Sequence, residues 1–336
     1  MNISVCPGCL KQGETHFCRK CQQELFDGKQ VDYVLPFSRP EYNRVKIDQT
    51  GKISISGVQS KHSLKLDNNR FELTDKGGQY ILKPIPQGPF EHLDQMPANE
   101  HCTMQIARQV FHIETAACAI VLFGDDLSPA YLTRRFDVHA DGVRLQQEDF
   151  AQIAQMSEDT HGQNYKYDLS YEEIAQLMNR YVSAYSIEVE RFFTLVLYNY
   201  LIHNGDAHLK NFSLYRKTRT KSMLQLTPAY DLLNTRLHLP SESAMALSLF
   251  KDDYQTKSFK QNGFYARDDF VEFGRKLSIP EKRVCRILDS VTKESTAVGE
   301  LIGRSFLEKD QARHYCDLLA DRVRALNYSY LGIGKK

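Results

Sequence analysis

The sequence predicts an α+β fold of two lobes, the first β-rich and antiparallel, the second mainly helical, with a small metal-stabilised module in front. Three observations predict it. Apolar and polar residues alternate with a period of two between residues 53 and 82, and helical spacing takes over beyond residue 141. Four of the eight cysteines fall within the first 21 residues. At 336 residues the chain is long enough to bury a sizeable core and to divide. The expected divisions are a cysteine module at 1–28, a linker at 29–49, a β-rich lobe at 50–140 and a helical lobe at 141–336.

Composition narrows the function classes. The formal net charge is +1 with acids and bases interspersed, which argues against gripping nucleic acid by bulk electrostatics. The basic cluster Arg216-Lys-Thr-Arg-Thr-Lys221 falls at a hairpin tip and reads as a solvated turn before a nucleic-acid contact. The N-terminus lacks the basic start and apolar core of a signal peptide, and no apolar run is long enough to span a bilayer. A cytoplasmic protein that does not enter the membrane is the expectation, with mostly reduced thiols.

Cys6-Pro-Gly-Cys9 and Cys18-Arg-Lys-Cys21 form two Cys-x₂-Cys knuckles. Two thiolates from each tight turn complete a closed four-sulfur zinc site, which leaves no open position for catalysis. The alternatives are unmetallated or disulfide-linked cysteines, with His16 a weaker substitute ligand. Cys102, Cys118, Cys285 and Cys316 are scattered and read as core residues. Residues 29–49 mix Pro, Gly and charge, as a linker would. Ile53 and Ile55, Leu64 and Leu66, Phe71 and Leu73, and Tyr80 and Leu82 then mark an antiparallel meander.

Between its first strands lies Ser54-Ile-Ser-Gly-Val-Gln-Ser-Lys61, whose Ser56, Gly57, Val58, Gln59 and Lys61 can lay N–H groups and a cation over phosphates. One glycine in a hairpin is also an ordinary turn. Lys83 ends Tyr80-Ile-Leu-Lys83 on the face opposite Leu82. A lysine on a buried strand needs an anion, or else reaches out to water. Glu100 lies in the first turn of an amphipathic helix (Met104, Ile106, Ala107, Val110), where it can pair with Lys83 or simply complement the helix N-terminus. A further hairpin is expected from Ile120–Phe123 and Tyr131–Asp137. Helical spacing then covers 171–185, 190–203, 265–277, 280–301 and 308–326.

The most informative stretch is Asn204-Gly-Asp-Ala-His-Leu-Lys-Asn211, followed after a short hairpin by Asp231 in Thr227-Pro-Ala-Tyr-Asp231. An Asp, an Asn and a second Asp so spaced suit phosphoryl transfer. Asp206 can orient a hydroxyl and accept its proton, while Asn211 and Asp231 offer hard oxygens to Mg²⁺. Taken alone, the octapeptide is equally an Asn-Gly turn with surface carboxylates.

Seven stretches in order, the four above together with Asn99-Glu100, Arg135-Phe-Asp137 and Gln147-Glu-Asp-Phe150, resemble the HipA-type serine/threonine kinases of bacterial toxin–antitoxin systems. The resemblance implies a two-lobed, kinase-like α+β fold that binds ATP with Mg²⁺. It implies Asp206 as catalytic base, Asn211 and Asp231 as magnesium ligands, and Lys83 as the phosphate-pairing lysine. Arg135 and Phe136 fall at the adenine hinge, and His208 and Lys210 beside the base. Ser54 matches a loop serine whose autophosphorylation shuts the kinase down.

With Ser56 the loop reads Ser-Ile-Ser and is similar to that of the short HipT kinases, in which both serines can be modified. The implied partners are a HipB-like helix-turn-helix antitoxin, through which DNA is met only indirectly, and a HipS-like companion in place of an N-terminal subdomain. The family-type protein substrate is an aminoacyl-tRNA synthetase. The zinc module departs from the family pattern. Two other functions stand beside the toxin kinase: a small-molecule hydroxyl kinase, from the similar His-Gly-Asp…Asn loop of aminoglycoside and choline kinases, and a nucleotide-binding regulatory protein without transferase activity.

Overall fold

A computed structural model describes residues 3–49, 61–139, 142–217 and 223–332. Helix α1 (Arg19–Phe26) follows the cysteine turns, and α2 (Arg39–Gln49) follows an extended stretch. Strands β1 (His62–Asp67), β2 (Arg70–Leu73) and β3 (Tyr80–Pro84) precede α3 (Met96–Gln109), and β4 (Cys118–Leu122) and β5 (Pro129–Arg134) complete an antiparallel sheet in the order β2-β1-β3-β5-β4. The tight Asn68-Asn69 turn, with both residues at positive φ, joins β1 to β2.

This is not the expected meander, because β3 pairs with β1 rather than with β2, with Leu64 opposite Tyr80. Alternation sets which face a side chain takes and leaves the choice of neighbour open. Thr74 N–H bonds the Ser63 carbonyl at the end of the β1–β2 ladder, and the chain then crosses to the other edge of β1, where Gln79 N–H bonds the Leu64 carbonyl. Gly78 permits this approach, since a Cβ there would lie 2.5 Å from the Ser63 Cβ.

Residues 29–49 also differ from a bare linker. Leu35 N–H bonds the Leu122 carbonyl and Leu122 N–H the Tyr33 carbonyl, so the stretch runs along the open edge of β4. Covering that edge withholds its backbone groups from other chains. Leu35 and Tyr42 are buried with Phe26, Leu64, Tyr80 and Leu82 in one apolar cluster.

The rest is mainly helical around a small sheet. Strand β6 (Gln147–Asp149) leads through the capped turn α4 (Phe150–Ile153) and α5 (Glu158–His161) to α6 (Tyr171–Tyr181) and α7 (Tyr185–Leu201). Strands β7 (Ser213–Arg216) and β8 (Leu224–Leu226) pair with β6 in the order β6-β7-β8. Helices α8 (Lys257–Asn262), α9 (Arg267–Lys276), α10 (Glu281–Lys293), α11 (Ser295–Gly303) and α12 (Lys309–Asn327) follow. The single helix expected over 280–301 breaks at Glu294, amid poor helix formers Thr292, Ser295 and Thr296. The one over 171–185 stops at Val182, which turns extended and buries its side chain.

Helix α7 is apolar almost all round, with Phe192, Phe193, Val196, Leu197, Tyr198 and Tyr200 fully buried. It is the axis of the larger core, and its C-terminal end delivers residues 203–211 to the site.

Gly274 of α9 lies against Val284 of α10, where a Cβ would come within 2.3 Å of a Val284 methyl carbon. Gly274→Ala gains helix propensity but pries the two helices apart, so a net loss of about 1–3 kcal/mol is expected in urea unfolding. A gain in stability would show that this crossing yields without strain.

Candidate active site

Lys83 is the centre. Its register on β3 places it opposite Tyr131 of β5, and the side chain is only 8 % exposed. The ammonium donates to Glu100 Oε1 at 2.6 Å and makes a short contact with Asp231 Oδ1, while lying 5.4 Å above the Tyr131 ring. Strand β3, helix α3 and the chain after β8 thus meet at one nitrogen. Burial opposes a charge on Lys83, but Asp231 and Glu100 outweigh it and hold its pKa above the ordinary value.

Asp231 has φ 58°, a left-handed conformation that Asp tolerates better than most residues. The strand before it is fixed by Ala116 N–H to the Ala229 carbonyl and Ala229 N–H to the Glu114 carbonyl. Its second carboxylate oxygen accepts from Asn211 Nδ2 at 3.1 Å. Burial acts to raise the Asp231 carboxyl, yet the Lys83 charge and hydrogen bond prevail and leave it lowered. Glu100 goes the other way: burial pushes it up to about 7, the Lys83 charge only partly offsetting this.

The loop carrying Asp206 is built from neutral contacts. Asn204 donates to Asn199 Oδ1 of α7 at 2.8 Å, and Gly205 N–H donates to Thr235 Oγ1 at 2.9 Å. A Cβ on Gly205 would come 2.6 Å from the carboxyl carbon of Glu242, so a larger residue there would displace that side chain. Asp206 is exposed, with His208 Nε2 at 3.8 Å from its Oδ1. His208 N–H donates to Asn211 Oδ1 at 3.2 Å, and burial lowers the imidazole pKa. Lys210 is exposed on the same turn.

Other expected residues fall into place unevenly. Arg135 forks onto Asp137, and Phe136 packs on Tyr215 and Tyr230 at 5.9 and 5.7 Å. Lys61 is exposed at the start of β1, and its charge acts on Glu100 and Asp231. Ser54, Ser56, Gly57, Val58 and Gln59 lie outside the described residues. Sequence reasoning missed Tyr167, whose hydroxyl donates to Asp206 Oδ1 at 2.6 Å, and the supports Asn199, Thr235 and Glu242. Nothing local to Tyr167 distinguishes it, since it comes from a polar stretch between helices.

Asn211 and Asp231 present the hard oxygen donors that suit Mg²⁺, and Asp231, 44 % exposed, is open to a ligand. At the N-terminus the Sγ atoms of Cys6, Cys9, Cys18 and Cys21 all lie within 4.8 Å of one another, with Cys9 and Cys18 3.6 Å apart. A tetrahedral zinc with bonds of about 2.3 Å needs sulfur separations of about 3.8 Å. The cluster therefore suits such an ion. Hydrogen bonds from Cys21 and Cys9 lower the Cys6 thiol while Cys9 and Cys21 are raised in turn, so the metal-free cluster shares its thiol protons around one thiolate.

The HipA-like C-terminal domain family matches residues 53–298. A Haemophilus influenzae protein named "Putative kinase" is 30% identical over 320 residues, 90% of each chain. Y4dM of Sinorhizobium fredii, a protein with the same designation, is 29% identical over 74% of this chain and 59% of its own length. Among solved structures, HipA in the HipA, HipB and operator DNA complex of Shewanella oneidensis superposes with a TM-score of 0.66 at 23% identity, over 90% of this chain and 73% of that one. The Helicobacter pylori proinflammatory kinase CtkA gives 0.51 at 13% identity, over 83% and 92%. The architecture is accordingly a HipA-like kinase fold. Among the described residues no helix is long and apolar enough to cross a membrane.

In the metal-free chain, Glu100 and Asp231 make opposite contributions to the pH dependence of stability. Glu100, raised to about 7, takes up a proton on folding, so its contribution falls as pH rises from the ordinary carboxyl value towards 7. Asp231, lowered, contributes above the ordinary range and loses this as pH falls through its folded pKa. Removing the first by Glu100→Gln should make the variant gain on the wild type by on the order of 1–3 kcal/mol between about pH 5 and about pH 8 in urea unfolding. Parallel curves would mean that Glu100 titrates as an ordinary carboxyl.

Proposed function

The chain belongs to the HipA-like C-terminal domain family, and from that premise we propose that it is an ATP-dependent protein serine/threonine kinase acting as the toxin of a toxin–antitoxin pair. The observation that carries the reading is the convergence of Lys83, Glu100, Asp231 and Asn211, with Asp206 exposed on the adjoining loop.

In the proposed reaction Asp206 accepts the proton of a serine or threonine hydroxyl. The hydroxyl oxygen bonds to the γ-phosphorus of ATP as the bond to the ADP oxygen breaks. Lys83, held charged and oriented by Glu100, pairs with nucleotide phosphate, and Lys61 adds a cation at the same site. Asn211 and Asp231 would hold Mg²⁺, which when bound neutralises phosphate charge. Phe136 offers a ring to adenine, and His208 and Lys210 flank the base.

The remaining assignments belong to the same proposal. Ser54 and Ser56 are the sites of autophosphorylation, in a loop formed with Gly57, Val58 and Gln59. A HipB-like antitoxin is the partner, supported by the HipA, HipB and DNA complex of similar fold. A HipS-like protein is a second partner, and an aminoacyl-tRNA synthetase the substrate. Zinc on Cys6, Cys9, Cys18 and Cys21 is structural.

Incubation with labelled ATP and Mg²⁺ tests the reaction. The wild type should label Ser54 or Ser56, and Asp206→Ala should lower the rate on the order of 10²–10⁴-fold. Undiminished labelling of the variant would remove Asp206 from the role.

Stripping zinc with a strong chelator should release one equivalent of metal and lower the melting temperature by several degrees. Cys18→Ser should purify with less metal. A full metal complement in that variant would exclude Cys18 as a ligand.

A further inference from the structure

The hydroxyl of Tyr167 is bonded to the same carboxylate that the proposed reaction uses to receive a hydroxyl. The phenol donates to Asp206 Oδ1 at 2.6 Å, and the ring stands edge-on to His208 with centroids 5.3 Å apart. Tyr167 comes from a single 3-10 turn, Tyr165–Tyr167, between α5 and α6. Residues 158–164 of that connection are all exposed, whereas Ser170, three residues on, is buried and caps α6. The segment is thus anchored at one end and laid across the loop carrying Asp206. Burial, then the hydrogen bond to Asp206, raises the phenol pKa, so the hydroxyl keeps the proton it donates.

A phenol whose proton points at the base occupies the ground-state position that geometry requires of an acceptor: hydrogen-bond distance, donor hydrogen towards the carboxylate. The contact is tertiary, its partners lying 39 residues apart in sequence. We infer that Tyr167 stands in for the acceptor hydroxyl and that Tyr167, Asp206 and His208 mark the acceptor subsite, into which a polypeptide side-chain hydroxyl enters by displacing the phenol. The inference rests on the kinase reading and deepens it. Tyr167 lies on the segment that crosses the loop carrying Asp206, so on this inference the acceptor reaches Asp206 by moving that turn aside. Nucleotide binding, which uses Lys83 and Asp231, is independent of the exchange.

Tyr167→Phe keeps the ring against His208 and deletes only the competing hydroxyl. Phosphate transfer from labelled ATP to myelin basic protein, a generic protein acceptor, is measured for the full chain and the variant. Losing one hydrogen bond to a charged group should raise kcat/KM for the protein acceptor on the order of tenfold. The change should enter through the KM of the acceptor, with the KM for ATP unchanged. A variant equal to or slower than an active wild type would overturn the inference, the phenol then orienting Asp206 rather than occupying the place of the substrate. Absence of both autophosphorylation and transfer in wild type and variant would bring down the kinase reading and the inference with it, whereas autophosphorylation without any gain in transfer by the variant would overturn the inference alone.

Discussion

The architecture depends on one buried ammonium. Removing Lys83 from water is unfavourable, and the carboxylates of Glu100 and Asp231 offset it. Those carboxylates come from different parts of the chain, Glu100 from α3 and Asp231 from the stretch after β8. The position of the sheet, of α3 and of the returning hairpin is therefore set at a single point. Breaking such a pair leaves an uncompensated charge, which costs about 3–5 kcal/mol, whereas a surface pair is worth little. The arrangement also explains why Asp231 adopts a left-handed backbone. The carboxylate must face Lys83 with one oxygen and Asn211 with the other, and the turn at φ 58° aims it there.

The loop carrying Asp206 obeys a different logic. It is held by amide and hydroxyl contacts that carry no net charge, Asn204 to Asn199 and Gly205 to Thr235. A buried cation near its root is Arg322 of α12, which donates to the hydroxyl of Tyr200 and to His203 Nδ1. With Nε2 against the Leu318 carbonyl, His203 is a neutral ring donating there and accepting from Arg322, and burial lowers its pKa to about 3. A charged His203 would repel the guanidinium. The contacts that fix the loop backbone are thus neutral, while the ion pairs of the site converge on Lys83.

Much of this was legible in the sequence, and the reasons differ by residue. Period two placed Leu64, Tyr80 and Leu82 on strands and Lys83 on a buried one, because side-chain alternation is a local property. The spacing of Asp206, Asn211 and Asp231 was readable for the same reason: loop and hairpin are short and their geometry is nearly fixed. Strand order was not readable, since Gly78 allows the crossing next to β1 without advertising it. The stretch at 29–49 looked polar because it covers a sheet edge with backbone, while Leu35 and Tyr42 turn fully inward and Val31, Tyr33 and Phe37 partly so. Tyr167, Thr235 and Glu242 act across 30 to 40 positions of chain, and no spacing rule reaches that far.

The cysteine module is drawn into the same constraint. His101 Nε2 meets the Gly8 carbonyl at 2.8 Å, Gln109 donates to the Cys9 carbonyl at 2.9 Å, and Arg108 pairs with Glu24 at 2.8 Å. All three come from α3, the helix that carries Glu100. Tyr80 and Arg134 reach the other side of the module, through the Leu25 carbonyl and a fork onto Asp27. Gly8 lies so near Cys21 that a Cβ would approach its sulfur to 2.7 Å, which keeps the turn tight enough for four sulfurs to converge. An ion on those sulfurs would stiffen the turns that α3 leans on. Because α3 also holds Glu100 against Lys83, the cysteine module and the site share one helix, tied to the module by side-chain hydrogen bonds and the Arg108–Glu24 ion pair.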